Sequence, residues 1–561
     1  MYGELLLKWL NSPVVDAATK KELKEIQSDA KEVESRFLAP LTFGTGGLRG
    51  VLGAGINRMN RYTVRHATQG LANLILKQGD AVCDRGVVVG YDCRNGSAEF
   101  AREVCRVLVA NGIRAYRFDE LRPTPEVSFA IRELGCIAGV NITASHNPKE
   151  YNGYKAYWED GAQLDLEQAE VVYNAIQSTD IFEDVKVASE AEAAAQTVLL
   201  GRDFDEKFLE QVMTQQINRE VVSQQADMAI VYTPFHGTGY RLVPEVLKRA
   251  GFRNVTCVPE QMVLDGNFPT VASPNPENKE GFTLAMRLAD QVAADFIIGT
   301  DPDADRLGVV VRNETGEFVA LTGNQTGVIL LDYVLRARQE QGTLPANACA
   351  IKTIVTSEMA ARVCEKYGVT LMNVLTGFKF IGEKIKEFEQ TGEYSYVFGY
   401  EESYGYLTGT YARDKDGVAA SLLIAEVAAW YRSKSMTLWQ ALQALYAEYG
   451  WHREVTVNIA MPGLDGMKKT AALMASLRKN VPQVVAGQKV MQFFDLEQGA
   501  MGLPRSNVVY YALEDRSVVV VRPSGTEPKV KVYFMVSGTS GTEADRKAAA
   551  LKEDFFRLAN I

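Results

Sequence analysis

Along the 561-residue chain, short apolar runs bounded by turn residues alternate with amphipathic stretches of helical period, and the alternation recurs. The first unit predicts a strand at Gly86–Gly90, a helix over 97–110 and a strand at Ile113–Tyr116. The second places strands at Met228–Tyr232 and Val255–Val258 around a helix over 240–250, and the third places strands at Ala350–Val355 and Val369–Met372 around a helix over 357–367. A glycine follows each helix (Gly112, Gly251, Gly368), the residue best able to take the left-handed conformation in which helices commonly end. Short βα loops and repeated strand-helix-strand units imply three tandem α/β domains with mixed sheets. From Trp451 the pattern changes. Strands at Glu454–Ile459, Val508–Ala512, Val518–Val521 and Val530–Val536, with helices over 467–478 and 543–558, predict a C-terminal α+β domain with a mainly antiparallel sheet. The expected divisions are 1–205, 206–325, 326–445 and 446–561, with the charged, amphipathic stretch Ala17–Phe37 packed as helix outside the first sheet.

Composition narrows the function. A formal charge of −10, without a basic run interleaved with aromatics, argues against nucleic acid as a partner, so an anionic substrate must meet local cations. The seven cysteines form no C-x-x-C pair and read as reduced, mostly buried thiols. Leu5-Leu6-Leu7 ends at Lys8, too short for a signal-peptide core, and no long uncharged apolar stretch occurs. No membrane association and a cytoplasmic location are expected.

Asp301, Asp303 and Asp305 are spaced two apart directly after the apolar run Phe296-Ile297-Ile298, with Arg306 next. Two carboxylates ~4 Å apart repel by about 4 kcal/mol at an effective dielectric near 20, so a tight triplet needs a cation or wide splaying. Hard oxygen ligands suit Mg²⁺. An EF-hand is excluded, because Arg306 and Arg312 stand where its loop needs Gly and Glu, and strands replace its helices. Gly299–Arg306 therefore reads as a metal loop, against a solvated acidic turn.

Other loops carry weaker signals. Thr143-Ala144-Ser145-His146-Asn147-Pro148 follows a buried strand, where Ser145 could be a nucleophile or a turn residue; a hydrolase elbow is excluded because Thr143 and Asn147 occupy its glycine places. Arg522-Pro523-Ser524-Gly525-Thr526 combines a forked donor, hydroxyls and a permissive glycine, which suits phosphate. Glu401, Glu402 and Ser403 between aromatics suit sugar hydroxyls, or form an ordinary amphipathic loop. Gly44–Gly50, including Arg49, lacks a P-loop ending and reads as a loop first and a phosphate cradle second. His236 reads as part of a structural βα turn and Lys379, on its own, as surface charge.

Taken together, Thr143–Pro148, Gly299–Arg306, Gly399–Gly405 and Arg522–Pro528 resemble, in order and spacing, the phosphoserine, metal, sugar and phosphate loops of the α-D-phosphohexomutase superfamily. The sugar loop, with Gly44–Gly50 upstream, looks most like the phosphoglucomutase and phosphopentomutase branch, although Tyr400 and Tyr404 depart from the residues usual there. The resemblance implies four domains around a central cleft. It makes Ser145 the phosphorylated serine, and Ser145, Asp301, Asp303 and Asp305 the ligands of Mg²⁺. It places His146, Lys155 and Arg306 near the transferred phosphoryl, and Arg49, Glu401, Ser403, Arg522, Ser524, Gly525 and Thr526 on the phosphosugar. Lys155 and Lys379 become candidate bases, since a lysine can act so where burial or neighbouring cations lower its pKa. The implied reaction interconverts α-D-glucose 1-phosphate and glucose 6-phosphate through glucose 1,6-bisphosphate. The alternatives are a pentose or mannose phosphate on the same scaffold, or phosphatase activity. With the phosphate loop on the fourth domain, that domain is expected to close over substrate and exclude water.

Overall fold

In the computed structural model, which describes residues 2–43, 47–461, 465–523 and 529–561, four sheets succeed one another along the chain. The first has the order Gly47–Val51, Tyr151–Trp158, Ala138–Ile142, Val87–Tyr91, Ala115–Phe118, Thr197–Leu200, parallel in its last four strands and antiparallel in its first pairs. The second runs Phe318–Ala320, Leu307–Arg312, Phe296–Thr300, Ala229–Thr233, Asn254–Cys257, and the third Thr370–Val374, Ala348–Thr353, Ser395–Glu401, Gly405–Leu407; each mixes parallel and antiparallel pairs. The fourth, Trp451–Ala460, Lys529–Gly538, Val518–Pro523, Val509–Leu513, Gln488–Asp495, Val484–Val485, is antiparallel throughout. Three mixed α/β domains and a C-terminal α+β domain are the architecture that the apolar pattern predicts.

Helices on both faces explain why Val87–Tyr91, Ala229–Thr233 and Phe296–Thr300 are buried at every position. In the fourth domain the sheet is less covered, and Trp451–Ala460 alternates between half-buried and exposed residues in its second half. The predicted glycines end their helices: Gly251 and Gly368 are left-handed C-caps, and Gly112 has φ 71°. Two expectations shift. The stretch 17–37 forms two helices, Ala17–Ile26 and Ala30–Phe37, because Asp29 turns its carboxylate onto the amides of Lys31 and Glu32 and starts a new helix. The strand expected to reach Val355 stops at Thr353; Ile354 and Val355 are apolar because the following turn is itself buried, at 2% and 1% exposure.

Helix Gly417–Arg432, buried along almost its whole length, packs on Gly239–Ala250 of the second domain and Gly323–Glu340 of the third, so those two domains share one core. Trp9 and Phe37 pack edge-on, with Tyr62 and Phe182 against Trp9, and pin the N-terminal helices to the first domain. The chain passes into the fourth domain at Gly450, whose φ of 95° only glycine adopts without strain, and Val508, Tyr510, Val520 and Met535 of that domain share a buried apolar cluster with Ile351, Ile354 and Val355 of the third.

Candidate active site

Each chemistry-bearing loop leaves the carboxyl end of a strand, the edge at which open α/β sheets bind ligands. Ser145 follows Ala138–Ile142 and takes φ 52°, an uncommon conformation outside glycine that the surroundings must hold. The Thr143 hydroxyl accepts from the Ser145 N–H at 2.8 Å and donates to Asp92 at 2.6 Å. Beneath the loop, the fully buried Arg94 guanidinium donates to the carbonyls of Pro148 (2.9 Å), Tyr151 (3.1 Å), Ser145 and Asn147, and lies 3.2 Å from Asp92. Burial raises the Asp92 pKa, against the pull of Arg94 and of hydrogen bonds from Thr143, Ser97 and the Arg94 amide.

The Ser145 hydroxyl donates to Asp301 Oδ2 at 2.6 Å, joining residues 156 positions apart, and sits 3.2 Å from His146 Nδ1. Asp301 Oδ1 accepts from the amides of Asp305 (3.1 Å) and Arg306 (3.0 Å), which folds the acidic loop into a bowl. Asp303 Oδ2 accepts from Thr124 (2.7 Å) and Lys155 (2.7 Å); Asp305 Oδ2 accepts from Lys155 at 3.0 Å and faces Lys415 at 3.2 Å. All three aspartates are fully buried, with one oxygen of each within 4.8 Å of the others. Asp303 Oδ1 and Asp305 Oδ1 have no hydrogen-bond partner among the described residues. Buried carboxylate oxygens left unpaired in a bowl of hard donors fit a divalent cation.

The charges answer one another. Burial, then Asp303 and Asp305, push the Asp301 pKa well above the carboxylate range. Burial would raise Asp303 too, but Lys155 outweighs it and holds that carboxyl down. Burial would neutralise Lys155, yet Asp303 and Asp305 hold its pKa well above the ordinary lysine value. His146 is pushed well below the usual histidine range by burial and by Arg306 and Arg49, so its imidazole is uncharged at neutral pH.

Ser145, His146, Lys155 and Arg306, above the buried aspartates, open on a cleft of about 580 Å³ between all four domains. Of the predicted residues, Arg49, Ser145, His146, Lys155, Arg306, Glu401, Ser403 and Arg522 line it. Gly44–Gly46 and Ser524, Gly525 and Thr526 lie outside the described residues. Lys379 does not line the cleft: Phe378 and Gly377 do, and one helical position later Lys379 turns behind them, buried, to the Leu164 carbonyl at 3.4 Å. Burial lowers its pKa, but the amine faces a domain contact. Glu401 accepts from the Gly377 amide at 2.8 Å, which ties the sugar loop to the start of that helix.

Three further cleft residues escaped the sequence reading. Lys415 places its amine beside Asp305; Lys531 and Asn458 stand directly opposite each other on neighbouring strands, and Lys531 directly opposite Arg522 on the other side. Two cations paired across a sheet repel, so the Asn458–Lys531–Arg522 row suits an anion above it. Burial, then Arg522 and Lys529, lower the Lys531 pKa, against Glu402 and Glu277. A cue existed only in the alternation of Val530, Lys531 and Val532, which turns the lysine to the face opposite the core.

The loop Thr233–Gly239 supports the metal loop from behind. His236 Nδ1 donates to the Val263 carbonyl at 2.7 Å and Nε2 accepts from Thr270 at 2.8 Å, while the Thr238 amide donates to the Pro302 carbonyl at 2.8 Å. The acidic loop and the Glu401–Gly405 turn are joined through backbone: Arg306 bridges Gly405, the Leu307 amide donates to Tyr404 O at 3.1 Å, and the Gly417 amide to Ala304 O at 3.0 Å.

A serine on a strained turn, a buried aspartate triplet at its hydroxyl, and a cationic sheet row across one cleft define a phosphosugar mutase, an isomerase that works by phosphoryl transfer. Comparison with known proteins agrees. Residues 40–182, 206–316 and 322–449 match the phosphoglucomutase/phosphomannomutase alpha/beta/alpha domains I, II and III, and 459–553 match the C-terminal domain of the same family. The chain belongs to the phosphoglucomutase/phosphomannomutase family. It is 37% identical over 524 residues to a phosphoglucomutase of Staphylococcus haemolyticus, covering 90% of this chain and 92% of the relative. It is 36% identical over 562 residues to a phosphoglucomutase of Staphylococcus aureus, covering 98% of each. The fold matches the open form of Paramecium parafusin, a phosphoglucomutase, with TM-score 0.69 at 18% identity over 93% of this chain and 96% of that one. A family protein from Burkholderia thailandensis matches with TM-score 0.67 at 19% identity, over 92% and 96%. Among the described residues, no helix is long and apolar enough to cross a membrane, and no disulfide joins the seven cysteines.

Proposed function

We propose that this enzyme interconverts α-D-glucose 1-phosphate and glucose 6-phosphate, with Mg²⁺ in the aspartate bowl and glucose 1,6-bisphosphate as intermediate and activator. The observation that carries the reading is the Ser145 hydroxyl at 2.6 Å from Asp301, in a cleft whose far wall is the Asn458–Lys531–Arg522 row. Near-complete alignment with phosphoglucomutases supports glucose as the sugar. Bound by Asp301, Asp303, Asp305 and a seryl phosphate oxygen, the cation would supply charge neutralisation at the transferring phosphoryl.

The chain's own residues do the rest. In the transfer, the bond from phosphorus to Ser145 Oγ breaks and one to the free sugar hydroxyl forms, while that hydroxyl gives up its proton. Arg306, fixed by Glu277 at 2.9 Å, faces the equatorial oxygens, and the uncharged His146 beside Oγ offers a hydrogen bond without competing for the phosphoryl charge. Lys415 in the cleft wall is the proton acceptor: burial would lower its pKa, but Asp305 and Asp414 outweigh it and hold the amine above the ordinary lysine value, a hold that a cation drawing on Asp305 would loosen. Glu401 and Ser403 hold the sugar hydroxyls, and Arg522 with Lys531 holds the distal phosphate. The bisphosphate then turns end for end and its other phosphoryl returns to Ser145. Turnover of glucose, mannose and ribose 1-phosphates, with and without Mg²⁺, beside Ser145→Ala, tests the reading. Preference for glucose and an inactive variant are expected; a fully active Ser145→Ala would sink the nucleophile, and a higher kcat/KM on mannose or ribose would reassign the sugar.

A further inference from the structure

A separate cavity of about 490 Å³ lies on the outer side of the first domain, between helix Ser97–Ala110, helix Glu190–Gln196 and the edge strand Thr197–Leu200. It shares no lining residue with the catalytic cleft. Helical spacing brings Glu99, Arg102, Glu103 and Arg106 onto one face of its wall, and Arg117 reaches it from the neighbouring strand, directly opposite Leu199. Each acid in the lining already has an arginine. Glu99 pairs with Arg61, and Glu103 with Arg106 at 3.0 Å and with Arg65 at 2.6 Å; Glu190, almost wholly exposed, stands 3.9 Å from Arg106. Two guanidinium groups are left over. Arg117 donates only to the Phe118 carbonyl at 3.1 Å, and Arg102 makes no ion pair among the described residues.

Apart from Thr197, the rest of the wall is apolar: Ala193 and Ala194 on the short helix, Cys105 at the floor, and Leu199, 57% exposed on the sheet edge. A chain of net charge −10 has ample acid to neutralise surface arginines, yet it holds two uncompensated ones beside a concave apolar surface. We propose that this pocket binds a phosphorylated ligand of nucleotide size, its phosphates forked by Arg102 and Arg117 and its planar or apolar body laid on Ala193, Ala194 and Leu199. A free sugar bisphosphate has the anion without the apolar body and fits only half of this lining. The site is distinct from the catalytic one in position and in what it recognises.

Calorimetric titration of the full chain with ATP, tripolyphosphate and adenosine, without divalent cations, tests this. Arg102 is exposed and Arg117 half-buried, both are without acid partners among the described residues and both lie away from the catalytic cleft, so Arg102→Ala/Arg117→Ala is expected to keep full mutase activity. It should weaken ATP by about tenfold or more for each lost charge-assisted contact. Arg522→Ala, which damages the catalytic cleft, should bind ATP as the native chain does. Ala194→Trp, filling the mouth from an exposed position, should lose ATP and keep tripolyphosphate. ATP that fails to bind the native chain, binds the double variant undiminished, or is lost in Arg522→Ala would overturn the proposal. Equal affinity for ATP and tripolyphosphate would overturn the apolar half of the site.

Discussion

Arg94 touches no substrate, yet the geometry makes it the residue on which the serine loop most depends. Its guanidinium serves four main-chain carbonyls of residues 145–151 and the carboxylate of Asp92, with both side chains fully buried. Arg94→Ala removes them all and leaves Asp92 as a buried anion with only hydroxyl and amide partners. Charge-assisted hydrogen bonds contribute ~1.5–3 kcal/mol each, but they share one group and do not add. Breaking a buried pair costs about 3–5 kcal/mol, and that is the scale expected here. Because Ser145 is in a conformation it does not favour by itself, the released loop relaxes and carries the hydroxyl away from Asp301. A displacement on the order of 1 Å costs about a hundredfold in rate. Arg94→Ala is therefore expected to lower kcat by at least that factor with KM nearly unchanged, and to speed amide exchange across 143–151. Arg94→Lys, keeping charge without the fork, should fall between. Hydrogen–deuterium exchange with steady-state kinetics measures both. Native exchange and native kcat in Arg94→Ala would refute the bracing role.

Lys415→Met should lower kcat by a hundredfold or more, on the scale of general-base loss, whereas Lys379→Met should change it little; the opposite ranking in the same assay would restore Lys379 as base. A Cβ on Gly237 would lie 2.4 Å from Pro302 Cα and 2.6 Å from its carbonyl oxygen. Gly237→Ala should thus push the metal loop and weaken Mg²⁺ activation by about tenfold, with all three aspartates intact; an unchanged Mg²⁺ dependence would contradict this. Glu426 is pushed up to about 7 by burial, only partly offset by hydrogen bonds from Tyr333, Asn218 and Ile217. The folded state therefore holds a proton that the unfolded chain releases near pH 4.3, and stability falls by about 3 kcal/mol as pH rises from there to 7. Thermal denaturation at pH 5.5 and 8 should show a smaller loss for Glu426→Gln than for the native chain, and parallel losses would disprove the assignment.

The aspartate triplet, the serine turn and the domain plan were legible because each is a local pattern: carboxylates two apart, turn residues after an apolar run, helical period between strands. What surrounds them was not. Arg94 and Asp92 reach the serine loop from about 50 residues upstream, and Thr124 reaches Asp303 from 179 residues away. Lys415, Asn458 and Lys531 are single polar residues whose meaning comes from the strand opposite. Lys379 shows the same limit from the other direction. Its sequence neighbours line the cleft, and a rotation of about 100° along one helix decides that it does not.

Because main-chain bonds at Arg306, Leu307 and Gly417 seam the acidic bowl to the Glu401–Gly405 turn, and one core lies under both, those two walls act as a single anvil. The main chain, more than any side chain there, sets the spacing between the acidic bowl and Glu401. An intermediate that, on the proposed reading, presents first one end and then the other to Ser145 would work against a fixed ruler, and adjustment for its changing reach would fall to the fourth domain, which meets the third across the apolar cluster of Ile354, Val355, Tyr510 and Met535. Acceptance of a longer or shorter sugar in this scaffold would then start at that apolar contact and at the Asn458–Lys531–Arg522 row.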